Sequence, residues 1–118
     1  MRKKELTHEI RISALTPGDE LTRTLAALSN PHRLRVLAAL SIGGRNYVSR
    51  LAREIGISRP LLHLHLSKLE EAGLVASQLE LSSDGKALKY FEVRPFHLEL
   101  TPEIVAALAP TLSEKPET

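Results

Sequence analysis

The chain has 118 residues, with 16 Lys or Arg against 14 Asp or Glu, and it contains no cysteine. This length predicts one domain, and the lack of cysteine excludes disulfides, thiolate metal ligands and thiol redox chemistry. No apolar run is long enough to span a bilayer, and the N-terminal MRKKELTHEIR has no apolar stretch of the secretory type. A cytoplasmic protein without membrane contact is therefore expected.

Charge and leucine are unevenly distributed. Residues 1–57 hold ten Lys or Arg against five Asp or Glu, whereas residues 58–118 hold six against nine. This asymmetry is typical of a protein with one anion-facing surface. Leucine accounts for 22 residues and aromatic residues for four, which favours helices that pack together and leave apolar stripes for a partner subunit.

The first residues are interpreted as a polar arm. Ile10, Ile12 and then Leu15 alternate with other residues, which fits either an extended segment or a short strand. The predicted organisation is a polar N-terminal arm at 1–18, a folded domain at 19–112 and a disordered C-terminal end at 113–118.

Two amphipathic helices are predicted to follow the arm. Asp19 is a suitable N-cap for the first helix, and Asn30 followed by Pro31 opens the second, which Gly43-Gly44 ends. Their apolar faces are Leu21, Leu25 and Leu28 in the first helix and Leu34, Leu37 and Leu40 in the second.

Two further helices are predicted around a short turn. Asn46 is the expected N-cap of the third helix, which Gly56 ends, and Ser58 is the expected N-cap of the fourth, which Gly73 ends. Their apolar faces are Val48, Leu51, Ala52 and Ile55 in the third helix and Leu62, Leu66 and Leu69 in the fourth. Such a pair forms a helix-turn-helix, which makes residues 58–72 the candidate recognition helix.

After Gly73 the apolar period changes from helical to two. Alternating runs flank Ser82-Ser83-Asp84-Gly85, and this pattern predicts a hairpin that ends at Pro95. Thr101-Pro102 then opens a last helix, which is expected to include Ile104, Val105 and Leu108 and, if it continues, Leu112. The predicted fold class is α+β and mostly helical, a winged helix-turn-helix whose wing is the hairpin.

Three stretches resemble the ArsR/SmtB family of winged-helix repressors. They are LSNPHRLRVL at 28–37, LAREIGISRPLLHLHLSKLEEAGLV at 51–75 and DGKALKYFEV at 84–93. The resemblance covers roughly residues 19–109 and implies a homodimeric regulator that binds double-stranded DNA, in most such proteins as a repressor.

Metal sensing does not carry over from this resemblance. Members that sense metals often hold them with cysteines in the third helix or with Asp/His pairs in the last helix. Here the third helix offers Val48, Ser49 and Arg50, and the last helix has no histidine. Neither a metal nor a cofactor is expected.

The base-reading side chains are expected on the recognition helix, away from its leucine stripe. A helix fits the major groove, which is about 12 Å wide. Arg59 can pair with a guanine or hold a phosphate, Ser58 can cap the helix or contact a phosphate, and Leu61 can contact thymine methyl groups or pack on a neighbouring helix. The predicted base-reading set is Ser58, Arg59, Leu61, His63 and Ser67, and Lys68 on the same helix is predicted to hold a phosphate.

Phosphate contacts are also predicted in the third helix and the wing. Arg50 and Arg53 lie off the apolar face of a helix that crosses the DNA backbone in this geometry. Lys86 and Lys89 lie near the hairpin tip, where an ordinary solvated hairpin is the alternative. Arg33 and Arg35 are interpreted as partners in intramolecular or subunit-bridging ion pairs.

The histidines do not form a metal site. His63 and His65 are two residues apart on one helix, so they point about 200° apart and cannot share an ion. His65 adjoins the leucine stripe and is expected to be partly buried and hydrogen-bonded, whereas His63 is expected to contact DNA. His8, His32 and His97 are interpreted as structural or exposed residues.

A dimer is expected, because a helix-turn-helix reads half-sites one helical turn apart. Its predicted interface consists of Leu21, Leu25, Leu28, Ile104, Val105 and Leu108, unless the first and last helices only cover the monomer core. The second functional hypothesis is a protein-interaction module. An enzyme is not expected, since the chain has no Gly-rich phosphate loop, cysteine nucleophile or catalytic His/carboxylate constellation.

Overall fold

The computed structural model describes residues 9–114. Its elements are, in chain order, β1 (Ile10–Ile12), α1 (Gly18–Leu28), α2 (Pro31–Gly43), β2 (Asn46–Tyr47), α3 (Val48–Ile55), α4 (Arg59–Glu71), β3 (Val75–Leu81), β4 (Ala87–Val93), β5 (Phe96–Leu98) and α5 (Pro102–Leu108), followed by a 3₁₀ turn (Ala109–Thr111). This order confirms the winged helix-turn-helix fold class. None of the helices in this described part is long and apolar enough to cross a membrane. His8 lies outside the described residues.

The chain divides into two compact units. The described residues up to Ala26, together with those from Pro95 onward, form the terminal unit, and Ala27–Arg94 form the helix-turn-helix unit. The predicted boundary at residue 18 separates an arm from the rest of the chain. In the structure the described part of that arm belongs to the terminal unit.

The terminal unit is organised around a parallel strand pair. β1 pairs with β5 in the register Ile10↔Phe96 and Ile12↔Leu98, which confirms the strand alternative for the arm. Ile12 is fully buried, and Ile10 and Leu98 pack against the core cluster to which it belongs. Leu15 is almost fully exposed, because the chain turns after β1 and the alternation ends there.

Two of the predicted dimer contacts are buried in the protomer itself. Leu21 and Leu108 are 8% and 2% exposed and form a core cluster with Ile12, which favours for these two residues the alternative that the helices cover the monomer core. A helical period identifies a face that is buried, and it does not say what buries that face. Leu25 and Val105 retain 39% and 46% exposure, whereas Leu28 and Ile104 are half-buried.

The start of α1 differs from the prediction by two residues. The helix begins at Gly18, so Asp19 lies in the first turn and is not the N-cap. Its carboxylate accepts hydrogen bonds from the N–H and the hydroxyl of Ser113, at 3.0 and 3.3 Å. The N–H of Gly18 donates to Thr111 Oγ1 at 2.6 Å. These long-range bonds satisfy the polar groups at the helix start, which is why local cap patterns misplace it.

The start of α3 also differs. Asn46 lies in β2, and Tyr47 is the N-cap without a side-chain bond. The amide oxygen of Asn46 accepts from the N–H of Tyr47 at 2.9 Å, and its Nδ2 donates to Glu54 at 3.3 Å. Pairing of β2 with β4 holds Asn46 in extended conformation, so its predicted capping role is wrong.

Three other predicted caps are confirmed. Asn30 accepts from the N–H groups of His32 and Arg33, Ser58 accepts from Leu61, and Thr101 accepts from Ile104, all between 2.8 and 3.3 Å. The last helix ends at Leu108 and leaves Leu112 outside, because Pro110 has no N–H to continue the helical ladder.

The core of the helix-turn-helix unit lies between its helices and a three-stranded sheet of order β2-β4-β3. α4 buries its leucine stripe and β4 buries Phe91. In α2 the buried residues are Val36, Leu37 and Leu40, whereas Leu34 is 52% exposed. The buried face of α2 is therefore rotated relative to the predicted one, because it includes Val36 in place of Leu34.

His65 joins α4 to α2 inside this core. It is only 4% exposed, and the Nε group of Arg33 donates to its Nδ1 at 3.2 Å. The His65 Nε2 atom is buried without a hydrogen-bond partner in the described part of the chain. Burial, followed by the charges of Arg33 and His32, holds the pKa of His65 below its usual value. This confirms the partly buried, hydrogen-bonded histidine.

The nearby arginines bind neutral groups here. Arg33 also donates to the carbonyl of Ala27 at 3.3 Å, and Arg35 lies 3.4 Å from the ring of His32. Among the salt bridges of residues 9–114, Arg35 takes part in none. His32 is half-buried, with its ring 5.6 Å from that of His65, and His97 is exposed on β5.

The depressed pKa of His65 predicts a pH-dependent stability. Unfolding returns the histidine to a pKa of about 6.5, so below that pH the unfolded chain binds the extra proton. The free energy of unfolding is therefore full above about pH 6.5 and falls as the pH drops toward the folded pKa. The slope is at most about 1.4 kcal/mol per pH unit for one proton.

Urea denaturation between pH 7.5 and 5.5 measures this slope. We expect a flatter profile for His65→Gln, because glutamine can still accept the Arg33 hydrogen bond and does not titrate. His63→Gln is the matched control, since it removes an exposed histidine from the same helix. Identical slopes for His65→Gln and the unmodified protein would contradict the assignment.

Candidate nucleic-acid interface

The turn between α3 and α4 is fixed by backbone hydrogen bonds and one glycine. Gly56 has φ +86°, a left-handed conformation that other residues adopt at a cost. Its N–H and that of Ile57 both donate to the carbonyl of Ala52, at 2.8 and 3.1 Å. The hydroxyl of Ser58 then caps α4. The turn is thus closed in three residues, as the helix-turn-helix prediction requires.

Six of the exposed side chains of α4 form two rows. Each residue turns a helix by about 100°, so Arg59, His63 and Ser67 form one row at intervals of four. Leu61, Leu64 and Lys68 form a second row beside it. All six side chains are exposed, while Leu62, Leu66 and Leu69 are buried. Four of the five candidate base-reading residues therefore share one solvent-facing side with Lys68, and the fifth, Ser58, is the exposed cap at its start.

Leu64 is the residue that the sequence prediction missed. It belongs to a run in which every second residue from Leu62 to Leu66 is a leucine, so hydropathy alone assigns it to the core. A helical wheel separates it, because Leu64 lies about 200° from both Leu62 and Leu66. Leu61 is 36% exposed, so packing on a neighbouring helix leaves it accessible.

The two arginines of α3 differ in their surroundings. Arg53 is exposed and takes no part in the ion pairs found among residues 9–114. Arg50 pairs with Glu54 one turn later, its Nε lying 3.5 Å from Glu54 Oε2. The other Glu54 oxygen accepts from Asn46. Glu54 thus competes with any phosphate for Arg50, which the sequence prediction did not anticipate.

The wing is a regular hairpin with a self-contained tip. β3 and β4 pair from Val75↔Val93 to Leu81↔Ala87. At the tip, Asp84 accepts from the hydroxyl of Ser82 and, at 3.3 Å, from the N–H of Lys86. The Ser82 hydroxyl, followed by the Lys86 N–H, holds the pKa of Asp84 below its usual value. The carboxylate of Asp84 therefore stays ionised within the turn. The Lys86 side chain is exposed.

The Arg45 brace is an ion pair between Arg45, which precedes β2, and Glu80 of β3 in the wing. Both terminal nitrogens of Arg45 donate to the carboxylate of Glu80, at 2.6 and 2.5 Å. The guanidinium also lies 4.4 Å from the ring centre of Tyr90. The Arg45 hydrogen bonds lower the pKa of Glu80 and raise that of Arg45. The negative charge of Glu80 is thereby balanced by Arg45. It does not offset the positive charges of Lys86 and Lys89, which are both exposed.

The wing is also attached to α4. The hydroxyl of Ser77 in β3 donates to Glu70 of α4 at 2.7 Å, and the N–H of Arg94 donates to the carbonyl of Leu74 at 2.9 Å. The first bond joins the hairpin to the candidate recognition helix, and the second joins the connection 72–74 to the end of the hairpin.

The candidate interface holds no metal-binding cluster. Within residues 9–114 no group of three or more His, Cys, Asp or Glu is arranged to hold an ion. His63 is exposed and His65 is buried, so the two histidines of the recognition helix lie in different environments.

Comparisons with known proteins place the chain among helix-turn-helix regulators. The model of a helix-turn-helix domain family matches residues 28–78. The uncharacterized HTH-type transcriptional regulator MJ0229 of Methanocaldococcus jannaschii is 38% identical over 82 residues, which cover 70% of this chain and 84% of that protein. The HTH-type transcriptional regulator CmtR of Mycobacterium tuberculosis is 38% identical over 85 residues, 72% of this chain but 63% of that protein.

The fold has counterparts among solved structures. One is the homodimeric winged helix-turn-helix DNA-binding domain Mb0332 of Mycobacterium bovis, described as a possible ArsR-family transcriptional regulator. It matches with a TM-score of 0.56 and 22% identity, over 78% of this chain and 74% of that one. At this identity the likeness establishes the fold.

The Arg50–Glu54 contact predicts a gain in DNA affinity when it is removed. Glu54→Gln keeps an oxygen for Asn46 and eliminates the negative charge beside Arg50. Because exposed pairs are worth up to about 1 kcal/mol, we expect affinity for duplex DNA at low salt to rise about twofold to fivefold. A fluorescence anisotropy titration measures it, with the exposed Glu103→Gln as control. Unchanged or weaker binding by Glu54→Gln would show that the pair does not restrain Arg50.

Proposed function

Since the chain belongs to the HTH-type transcriptional regulators, we propose that it is an ArsR-like winged-helix member that binds specific sequences of duplex DNA as a homodimer and represses transcription from the promoters it occupies. The observation that carries this proposal is the two-sided surface of α4. One side is used in the core, and the other carries the two exposed rows described above within a single helix of 13 residues.

In this proposal the first turns of α4 read bases. Arg59 can donate two hydrogen bonds to a guanine, and His63 and Ser67 continue the row along the groove. Ser58 already caps the helix through its hydroxyl, so its remaining contribution is to phosphate. Lys68 lies in the last turns of the helix and supplies charge to the backbone.

Affinity for the phosphates comes from α3 and the wing. Among the candidate cations Arg53, Lys86 and Lys89 are exposed, and Arg50 becomes available when Glu54 releases it. The Arg45 brace and the Ser77–Glu70 bond support a fixed position for the hairpin beside α4. Lysines held on a braced hairpin lose less freedom on binding than lysines on a mobile loop.

The dimer surface is proposed on the terminal unit. Leu25 on α1 and Val105 on α5 are apolar and exposed after the unit has formed its own core. Leu112, at 43% exposure, adds a third apolar side chain beyond the 3₁₀ turn. Two-fold pairing through such residues presents two recognition helices to two half-sites.

Loss of a phosphate contact should change the salt dependence of binding, whereas loss of a base contact should change the sequence preference. Lys86→Ala or Lys89→Ala should weaken binding to all duplexes and each reduce the slope of log affinity against log salt by about 0.9. Arg59→Ala should lower the preference for the selected sequence over random DNA by about 1–3 kcal/mol. Titration at two salt concentrations against selected and random duplexes measures both quantities.

Arg11→Ala provides the control for lost positive charge. Arg11 lies on β1 and pairs with Glu9 at 3.4 Å, away from every candidate DNA contact in the sequence. Its replacement should leave the salt slope and the sequence preference unchanged. No measurable duplex affinity of the unmodified protein at low salt would contradict the proposal and favour the protein-interaction alternative.

A second prediction concerns the dimer. Leu25→Glu should shift the protein toward monomer and weaken binding to a two-half-site duplex by tenfold or more, because only one recognition helix then engages. Sedimentation velocity measures the assembly. Leu15→Glu introduces the same charge at an almost fully exposed leucine of the terminal unit and should have no effect. A Leu25→Glu protein that remains dimeric would place the interface elsewhere.

A further inference from the structure

Leu64 gives α4 an apolar surface where a polar one is expected. It is the sixth residue of a 13-residue helix and lies about 200° from the buried Leu62 and Leu66. Its side chain is 52% exposed, and Leu61, three residues earlier, is 36% exposed. Residues three apart on a helix are neighbours, so Leu61 and Leu64 form one apolar strip, which Lys68 continues one turn later. Apolar surface left in water at a binding face favours an apolar partner group.

We propose that Leu61 and Leu64 contact the C5-methyl groups of thymines in the major groove, which makes Leu64 a specificity-determining residue. This inference rests on the proposed function and specifies the sequences that the site prefers. The thymine methyl is the apolar group that an A·T pair presents in the major groove. The rise between Leu61 and Leu64 is about 4.5 Å and the base-pair spacing is about 3.4 Å, so the strip suits thymines in neighbouring base pairs.

The surroundings of the strip favour DNA over a protein as its occupant. Arg59, His63 and Ser67 form the adjacent row of the same helix face, and Lys68 continues the strip, so cations lie at both sides of the leucines. Cations in this position complement phosphates that flank a groove. A stable protein interface buries about 800 Å² on each partner, far more than two partly exposed leucines provide. The strip is also continuous with the row of Arg59, His63 and Ser67 that is proposed above to read bases.

The test begins with duplexes that the full chain selects from a random library. Each thymine of a selected duplex is then replaced singly by deoxyuridine, which removes the methyl group and keeps base pairing. We expect at least one position, and at most a few neighbouring positions, at which this replacement weakens binding by about threefold to tenfold. One buried methyl group corresponds to about fourfold.

Leu64→Ala connects that loss to the side chain. In a double-mutant cycle, the variant should bind the thymine duplex more weakly than the unmodified protein and should lose most of its thymine-over-uracil preference at one position. Leu34→Ala is the matched control, because Leu34 on α2 has the same 52% exposure. It should retain the full thymine preference.

The outcomes separate this inference from the proposed function. If uracil replaces thymine without loss at every position, or if Leu64→Ala retains the full preference, the methyl-reading role is wrong while DNA binding stands. A Leu64→Ala protein that loses self-association and keeps the thymine preference would assign the strip to a protein contact and also overturn the inference. If the unmodified protein selects no duplex, the proposed function itself is wrong.

Discussion

The burial of one face of α4 is the constraint on which the rest of the candidate interface depends. Leu62, Leu66 and Leu69 are almost entirely removed from solvent, and each contributes roughly 1.5–3 kcal/mol through that burial. Only one rotation of the helix about its axis achieves this, since a shift by one residue turns the stripe by about 100°. The core thereby decides which side chains remain on the outside. The same face contains His65, whose bond to Arg33 attaches α4 to α2 by a polar contact of defined direction.

Local pairing, more than net charge, determines which cations are available to an anion. Arg45 is engaged by Glu80 and Tyr90, and Arg50 by Glu54. Asp84 is used within the wing turn. The cations proposed to face DNA are therefore a few exposed side chains on α3, α4 and the wing. Arg45 stabilises the scaffold that presents them.

Sequence patterns predicted the long helices, the hairpin and the caps at Asn30, Ser58 and Thr101, because each depends on residues close together in the chain. They missed β2 and β5, which span two and three residues and are too short to show a period. Asp19 and Asn46 resemble caps but bind partners elsewhere: Asp19 binds Ser113, and Asn46 binds Glu54.

Burial was predicted less well than secondary structure. Leu21 and Leu108 belong to a core that the arm completes, and a period cannot show which segment covers a helix face. Leu34 and Leu64 are exposed leucines in leucine-rich helices. Their exposure depends on helix rotation, which packing fixes. The candidate base-reading side chains were predicted because they lie off a regular leucine stripe. The helical spacing of that stripe therefore predicts both the core and the candidate site.

The parallel pairing of β1 with β5 has a consequence for the order in which the molecule forms. Its strands lie about 86 positions apart in register, whereas the helix-turn-helix unit is one uninterrupted stretch, Ala27–Arg94. Contacts between distant positions close slowly, because the intervening chain must first give up its freedom. During translation the stretch from Ala27 to Arg94 emerges before β5 does. The segment with the candidate recognition helix can thus acquire its structure on the ribosome while β1 still waits for its partner strand.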